Sequence, residues 1–403
     1  MSRRALIRKR CTSCGATIPD KICPKGHRRS TWSFTVDVNP LGGARRQITR
    51  SGFKTKAEAQ QVLDEVQVSV SRQTYVERSK MTLGAYMKTW LAGLVTEGLA
   101  PTTIASYKTN VDAHIVARLG SMPLDALTPA LIKEFYSELL TRGRKDGSGG
   151  LSARTVNYVG TILGKALRDA EAQRLINRSP ALGVRKPRSK AKVSKLRTWT
   201  AEQLRTFLEL VEADRLYPIW MLAASTGMRR SELLGLRWED VELDNARLSV
   251  RQALVLVENR PVLRPTTKSA AARRSISLDM ETTRLLRRWR MTQLEERMLC
   301  GEGYEETGLV ATREDGSWIH PERFSRWFEA HRKKAGLPAI RAHDLRHTHA
   351  TLLLQAGVHP KVVQERLGHS SITVTLDTYS HVIPAMQENA AELAARLVRS
   401  ADR

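Results

Sequence analysis

From Thr31 to Val38 apolar and polar residues alternate strictly (Trp32, Phe34, Val36, Val38 against Ser33, Thr35, Asp37), the period of a half-buried strand. Pro40, Gly42 and Gly43 mark a turn, and Arg45-Arg46-Gln47-Ile48-Thr49 reads as a second strand. Over residues 56–71 the period lengthens to that of a helix, with Ala59, Val62, Leu63, Val66 and Val70 on one face.

Residues 81–180 keep the helical period. Leu83, Tyr86, Met87, Trp90, Leu91 and Leu94 form one stripe; Pro101 opens a second helix (Ile104, Tyr107, Val111, Ile115) that Gly120 ends. Thr128-Pro129 is an N-cap followed by Pro at the first helical position, leading into Leu131, Ile132, Phe135 and Leu139. A flexible Gly147-Ser148-Gly149-Gly150 loop precedes the last stripe, Val156, Val159, Ile162, Leu163 and Leu167. Residues 185–197 have no period and read as a linker. Thr200-x-x-Gln203 is a capping box, and the chain beyond it is helical except between about 247 and 278, where a small antiparallel sheet is predicted with Lys268 on its turn. The expected fold is multidomain and mainly α. A small N-terminal sheet with one helix occupies 1–75 and an all-helical domain 76–183. A linker (184–198) then leads to a mostly helical domain with a small antiparallel sheet, 199–403, ending in a helix carrying Met386, Ala390, Leu393, Ala394 and Leu397.

Charge narrows the function. Lys and Arg number 66 against 41 Asp and Glu, a net +25, which suits a polyanionic partner. The excess is concentrated. Residues 1–50 hold twelve Lys and Arg against two acids, and 185–197 hold seven against none. No apolar run could span a bilayer and the basic start lacks the apolar core of a signal peptide, so a soluble, cytoplasmic protein is expected. Cys11-x2-Cys14-x8-Cys23-x3-His27 could make a closed structural zinc site, or be a basic arm with incidental cysteines.

The chemistry lies in five segments: Thr226-Gly227-Met228-Arg229-Arg230-Ser231-Glu232, Thr267-Lys268-Ser269, His343-Asp344-Leu345-Arg346-His347-Thr348, Leu367-Gly368-His369-Ser370 and Asp377-Thr378-Tyr379-Ser380-His381. Gly227 lets the backbone turn so that Arg229 starts a helix, and Glu232 can order its guanidinium; alone, this is an ordinary surface ion pair. His343 and Arg346 lie one turn apart on one helical face. An isolated lysine, histidine or tyrosine is more often a solvated charge or a packing residue than a catalyst. As an ordered set the six fit attack on a phosphodiester, since two guanidiniums can grip oxygens and cannot lose their charge. No acidic cluster suggests two-metal chemistry.

This set resembles the tyrosine recombinases of the phage integrase family over roughly residues 200–395. The resemblance implies Tyr379 as nucleophile, Arg229 and Arg346 as phosphate clamps, Lys268 as general acid, His343 as proton acceptor and His369 as a phosphate donor, with Glu232 in support. His347 and His349 fall off the pattern and are expected to be structural. The helical domain resembles the family's SAM-like core-binding domain, with Lys108, Arg154 and Asn157 toward DNA, and the N-terminal domain its arm-binding domain, with Arg45, Arg46, Arg50 and Lys54 around the sheet. Arg185, Lys186 and Arg188 in the linker, and Arg264, Arg273 and Arg274 beside Lys268, would hold the DNA backbone. The family's transesterification needs no cofactor, leaving zinc as a structural candidate. Expected partners are double-stranded core and arm sites at the nucleoid, three further copies in a homo-tetramer, and a directionality factor. The competing readings are a type IB topoisomerase and a non-catalytic DNA-binding regulator.

Overall fold

The computed structural model describes residues 6–18, 23, 25, 29–38, 47–71, 75, 81–188, 197–265, 273–379 and 399. His27, Arg45, Arg46, Lys268 and the expected helix after Tyr379 lie outside the described residues. The chain divides into two compact units, Met1–Lys190 and Ala191–Arg403.

The first unit opens with a three-stranded antiparallel sheet, β1 (Leu6–Cys11), β2 (Ser30–Asp37) and β3 (Gln47–Phe53), packed on α1 (Lys56–Ser71). The predicted strand and helix faces meet in one core of Phe34, Val36, Ala59, Leu63, Val66 and Val70. β1 makes the third of the two or three strands expected, at a place the residue pattern does not mark. Its sequence, LIRKRC, shows no clean alternation, and its order comes from backbone pairing with β2, Leu6 opposite Thr35 through Cys11 opposite Ser30.

The helical part follows the predicted stripes. Thr82 caps α2 (Leu83–Thr96) by accepting the Ala85 N–H at 3.3 Å, and Leu83, Tyr86, Met87, Trp90 and Leu94 are buried. α3 (Pro101–Asn110) runs through a wide π turn, Val111–Val116, into α4 (Ala117–Leu119). That widening departs from the single α period expected and carries Val111, His114 and Ile115 inward. α5 (Pro129–Arg142) starts on the Thr128 cap, and α6 (Ala153–Ala172) buries Val156, Val159, Ile162, Leu163 and Leu167. Tyr86 Oη donates to the Ala166 carbonyl at 2.8 Å and the Trp90 indole to Asp169 at 2.7 Å, tying α2 to α6.

In the second unit α7 (Ala201–Leu210) has the predicted capping box, and Trp199, Phe207, Trp220, Phe324 and Phe328 centre the core. α8 (Tyr217–Thr226) ends at Gly227 and is followed by α9 (Arg230–Leu234). The single sheet expected over 247–278 is two. One comprises β4 (Val241–Glu242), β5 (Arg247–Val250) and β8 (Arg274–Ser277); the other is a hairpin of β6 (Gln252–Val257) and β7 (Arg260–Pro265). Glu258 and Asn259, at φ +49° and +63°, form the hairpin turn, whose tight return pairs β6 with β7. α10 (Met280–Cys300), α11 (Pro321–Lys334), α12 (Asp344–Gln355), α13 (Pro360–Leu367) and α14 (Ile372–Tyr379) complete the unit.

Candidate active site

Gly227 closes α8 at φ +64°, and a Cβ there would lie 2.7 Å from the His349 ring and 2.8 Å from Leu367. The turn it allows delivers Arg229 as the N-cap of α9 and points the Gly227 carbonyl at Arg346, whose Nη1 donates to it at 2.9 Å. Arg229 Nη1 donates to Glu232 at 2.6 Å and its Nη2 to the Gly368 carbonyl at 3.2 Å, joining α9 to the end of α13.

Glu232 is 3% exposed and shared: Arg274, from β8, donates Nη2 to it at 2.7 Å. Burial would push the Glu232 carboxyl up, but the bonds and charge of Arg274, with the charge of Arg229, more than offset this and hold it low. Arg274 also donates Nε to the Arg366 carbonyl at 2.7 Å, and its side chain is 6% exposed. Expected on the DNA backbone, the Arg274 side chain is instead buried and buttresses the site. The signal was legible: Arg274 and the buried Ile276 are two apart on one strand, hence on one face.

Arg346 lies on α12, 3% exposed. Burial, then repulsion from Arg229, lowers it to about 9, so it is still charged at neutral pH. Its buried Nη2 has no hydrogen-bond partner among the described residues. An unpaired buried donor costs about 1–3 kcal/mol, a penalty that an anionic oxygen would remove.

Tyr379 ends α14 with its ring against Ala350, Leu354, Val363 and Leu367. Its hydroxyl is 2.9 Å from His347 Nδ1. Burial raises the phenol to about 12, with the Arg346 charge pulling the other way. His347 is lowered to about 4 by burial first and the His343 ring second, so the imidazole is neutral at pH 7 and can accept the phenolic proton. His347, expected to be structural, instead meets the Tyr379 hydroxyl. His343, the expected acceptor, is the exposed N-cap of α12 and packs edge-on to His347 with centroids 5.6 Å apart. The i,i+4 spacing of the two histidines was the available clue.

His369 follows Gly368 (φ +69°), the C-cap of α13, and is 9% exposed, with Nδ1 2.8 Å from the Thr375 hydroxyl. Burial lowers it to about 4. His349 packs beneath Gly227 and accepts Arg366 Nε at 3.1 Å, a structural place. Arg229, Arg230, Arg341 and His343 line a cleft of about 520 Å³. A second hollow of about 610 Å³ carries Arg237, Arg251 and Arg273. Arg273 is exposed and Arg264 half-buried.

In the first unit Lys108, Arg154, Arg185, Lys186 and Arg188 are exposed, as is Lys54, while Arg50 is half-buried. Asn157 is not turned outward: its amide donates to the Pro187 carbonyl, and Lys186 Nζ donates to Thr161 at 2.8 Å, so residues 185–188 lie along α6.

Sequence profiles match three stretches: the phage integrase family over residues 197–386, an arm DNA-binding domain over 25–70, and the phage integrase N-terminal SAM-like domain over 82–140. The chain is 28% identical to a tyrosine recombinase XerC-like protein of Caldanaerobacter subterraneus subsp. tengcongensis, covering 84% of this chain and 89% of that one. It is 27% identical to the ICEBs1 integrase of Bacillus subtilis, covering 89% and 96%. In fold it is similar to the Tn1549 transposon integrase solved with transposon right end DNA (TM-score 0.63, 22% identity, 78% of this chain and all of that one). It is also similar to a lambda integrase dimer bound to a core site (TM-score 0.55, 21% identity, 74% and 95%). With this catalytic unit behind an arm domain and a SAM-like domain, the chain belongs to the phage integrase family of tyrosine recombinases.

Proposed function

We propose that the protein is a site-specific recombinase that integrates and excises a mobile element through a 3′-phosphotyrosyl intermediate. The observation that carries this reading is the gathering of Tyr379, hydrogen-bonded to a neutral imidazole, with the buried Arg346 whose Nη2 lacks a partner among the described residues. Arg229 and Arg346 hold the non-bridging oxygens of the scissile phosphate, and Glu232 keeps Arg229 in place. His347 takes the Tyr379 proton as the phenolic oxygen bonds to phosphorus. The bond to the 5′-oxygen breaks, and that oxygen takes a proton from Lys268. A 5′-hydroxyl of the partner duplex then attacks the phosphotyrosyl linkage and restores the phenol.

Bonds are exchanged one for one, so the chemistry draws on charge stabilisation and positioning rather than on ATP or a metal. His369 supplies a further donor to the phosphate. Core DNA is held by Lys108, Arg154, Arg185, Lys186, Arg188, Arg264 and Arg273, and arm sites by the N-terminal domain. Lambda integrase has been solved as a tetramer bound to a Holliday junction, and strand exchange here likewise takes four copies, with a directionality factor biasing excision. No helix among the described residues is long and apolar enough to cross a membrane. The place of action is the nucleoid.

The test is a nicked suicide substrate carrying the element's junction. Wild type forms a covalent protein–DNA adduct and Tyr379→Phe none, while His347→Ala slows adduct formation about 100-fold, the size of a lost general base. An adduct with Tyr379→Phe would remove the assignment of the nucleophile.

A further inference from the structure

Three sulfur atoms converge in the first unit, and the recombination chemistry uses none of them. β1 ends at Cys11, and the chain folds straight back. The Gly15 N–H donates to the Cys11 carbonyl at 3.0 Å, the Cys11 N–H to the Ala16 carbonyl at 2.9 Å, and the Ile18 N–H to the Lys9 carbonyl at 2.8 Å. Gly15, at φ +71°, makes this return possible immediately after Cys14. Cys23 arrives from outside the turn, its sulfur 3.5 Å from that of Cys14. All three sulfurs lie within 4.8 Å of one another, with Cys11 2% and Cys23 3% exposed.

We propose that Cys11, Cys14 and Cys23 bind one structural zinc ion as thiolates. Zinc's tetrahedral preference leaves the fourth position to a further donor. A tetrahedral site with Zn–S bonds of about 2.3 Å sets its sulfurs roughly 3.8 Å apart; Cys14 and Cys23 are 3.5 Å apart and all three lie within 4.8 Å. A disulfide would join only two of the three sulfurs, and none of these cysteines is in one. The segment between β1 and β2 also needs a staple. Apart from the cysteines, Ile18 is its only buried apolar residue among those described, too little to hold a chain of this length. Zinc would fix the end of β1, and with it Arg8, Lys9 and Arg10, against β2.

The full chain, produced in zinc-supplemented medium and dialysed into metal-free buffer, is assayed for zinc by mass spectrometry. About one zinc per chain is expected. Cys11→Ser and Cys14→Ser should drop it at least about fivefold, whereas Cys300→Ser, at an exposed cysteine far along the sequence, should leave it unchanged. Should a serine variant fail to fold, cobalt substitution of the wild type gives the ligand set directly, through the thiolate-to-cobalt charge-transfer band. Wild type without zinc, equal zinc in Cys14→Ser and Cys300→Ser, or a Cys14–Cys23 disulfide in unreduced protein would each overturn the assignment. Adduct formation at the core site is a separate readout, so a failure of the zinc proposal is distinguishable from a failure of the recombinase reading.

Discussion

At the level of single residues the site is a balance of buried charge against neutral imidazole. His347, His349 and His369 are each lowered to about 4, in every case by burial first. In the unfolded chain a histidine titrates near 6.5, so between about pH 6.5 and 4 the unfolded state binds the extra protons. The stability these groups contribute is therefore fully present above about pH 6.5 and is lost as pH falls through that window. For His349, 8% exposed, the loss approaches roughly 3 kcal/mol at the acid end. Urea melts of the full chain should show the catalytic unit's midpoint falling from pH 7.5 to pH 5, and His349→Gln should flatten that fall. An unchanged midpoint would mean the imidazoles are solvated. Arg229, Glu232, Arg346 and Tyr379 stood out in the sequence by their motifs, and the structure brings these four into one neighbourhood. His347 did not stand out, because its part depends on where a residue 32 positions away comes to rest.

Elements translate those residues into place, and the tightest translation is at Gly227. The left-handed turn there costs an L-residue about 1–2 kcal/mol, and the added methyl must also displace His349 or Leu367. Gly227→Ala should destabilise the protein by roughly 2–4 kcal/mol. Because the same peptide unit accepts from Arg346 and leads into Arg229, adduct formation should also fall by more than the loss of folded protein explains. Thermal melts and adduct yield, measured on the same preparation, check this; a melt like that of wild type would show that the turn tolerates a side chain. Gly227's role was legible because a glycine before a helix-starting Arg has few other uses. β1 and the separate β6–β7 hairpin were not, since both depend on pairing between backbones rather than on an apolar period of their own.

For the molecule as a whole, apolar period predicted the mainly helical fold with small antiparallel sheets, because the stripes are buried in separate cores. Net charge predicted the polyanionic partner without saying which cations meet it. The structure sorts some of them. The Arg274 side chain is buried and occupied by Glu232, whereas Arg185 and Arg188 are exposed beside α6. Exposed guanidiniums on a basic stretch should neutralise phosphates and release counterions, each adding about 0.9 to the slope of log affinity against log salt. Arg185→Ser with Arg188→Ser should therefore weaken binding to a core-site duplex and to an unrelated duplex by similar factors, lowering the slope by about 2 for both. Fluorescence anisotropy at several salt concentrations measures this. A slope unchanged from wild type would place the linker's charge away from the phosphates. A loss confined to the core-site duplex would instead make these arginines readers of sequence, which the contact of guanidinium with phosphate alone cannot do.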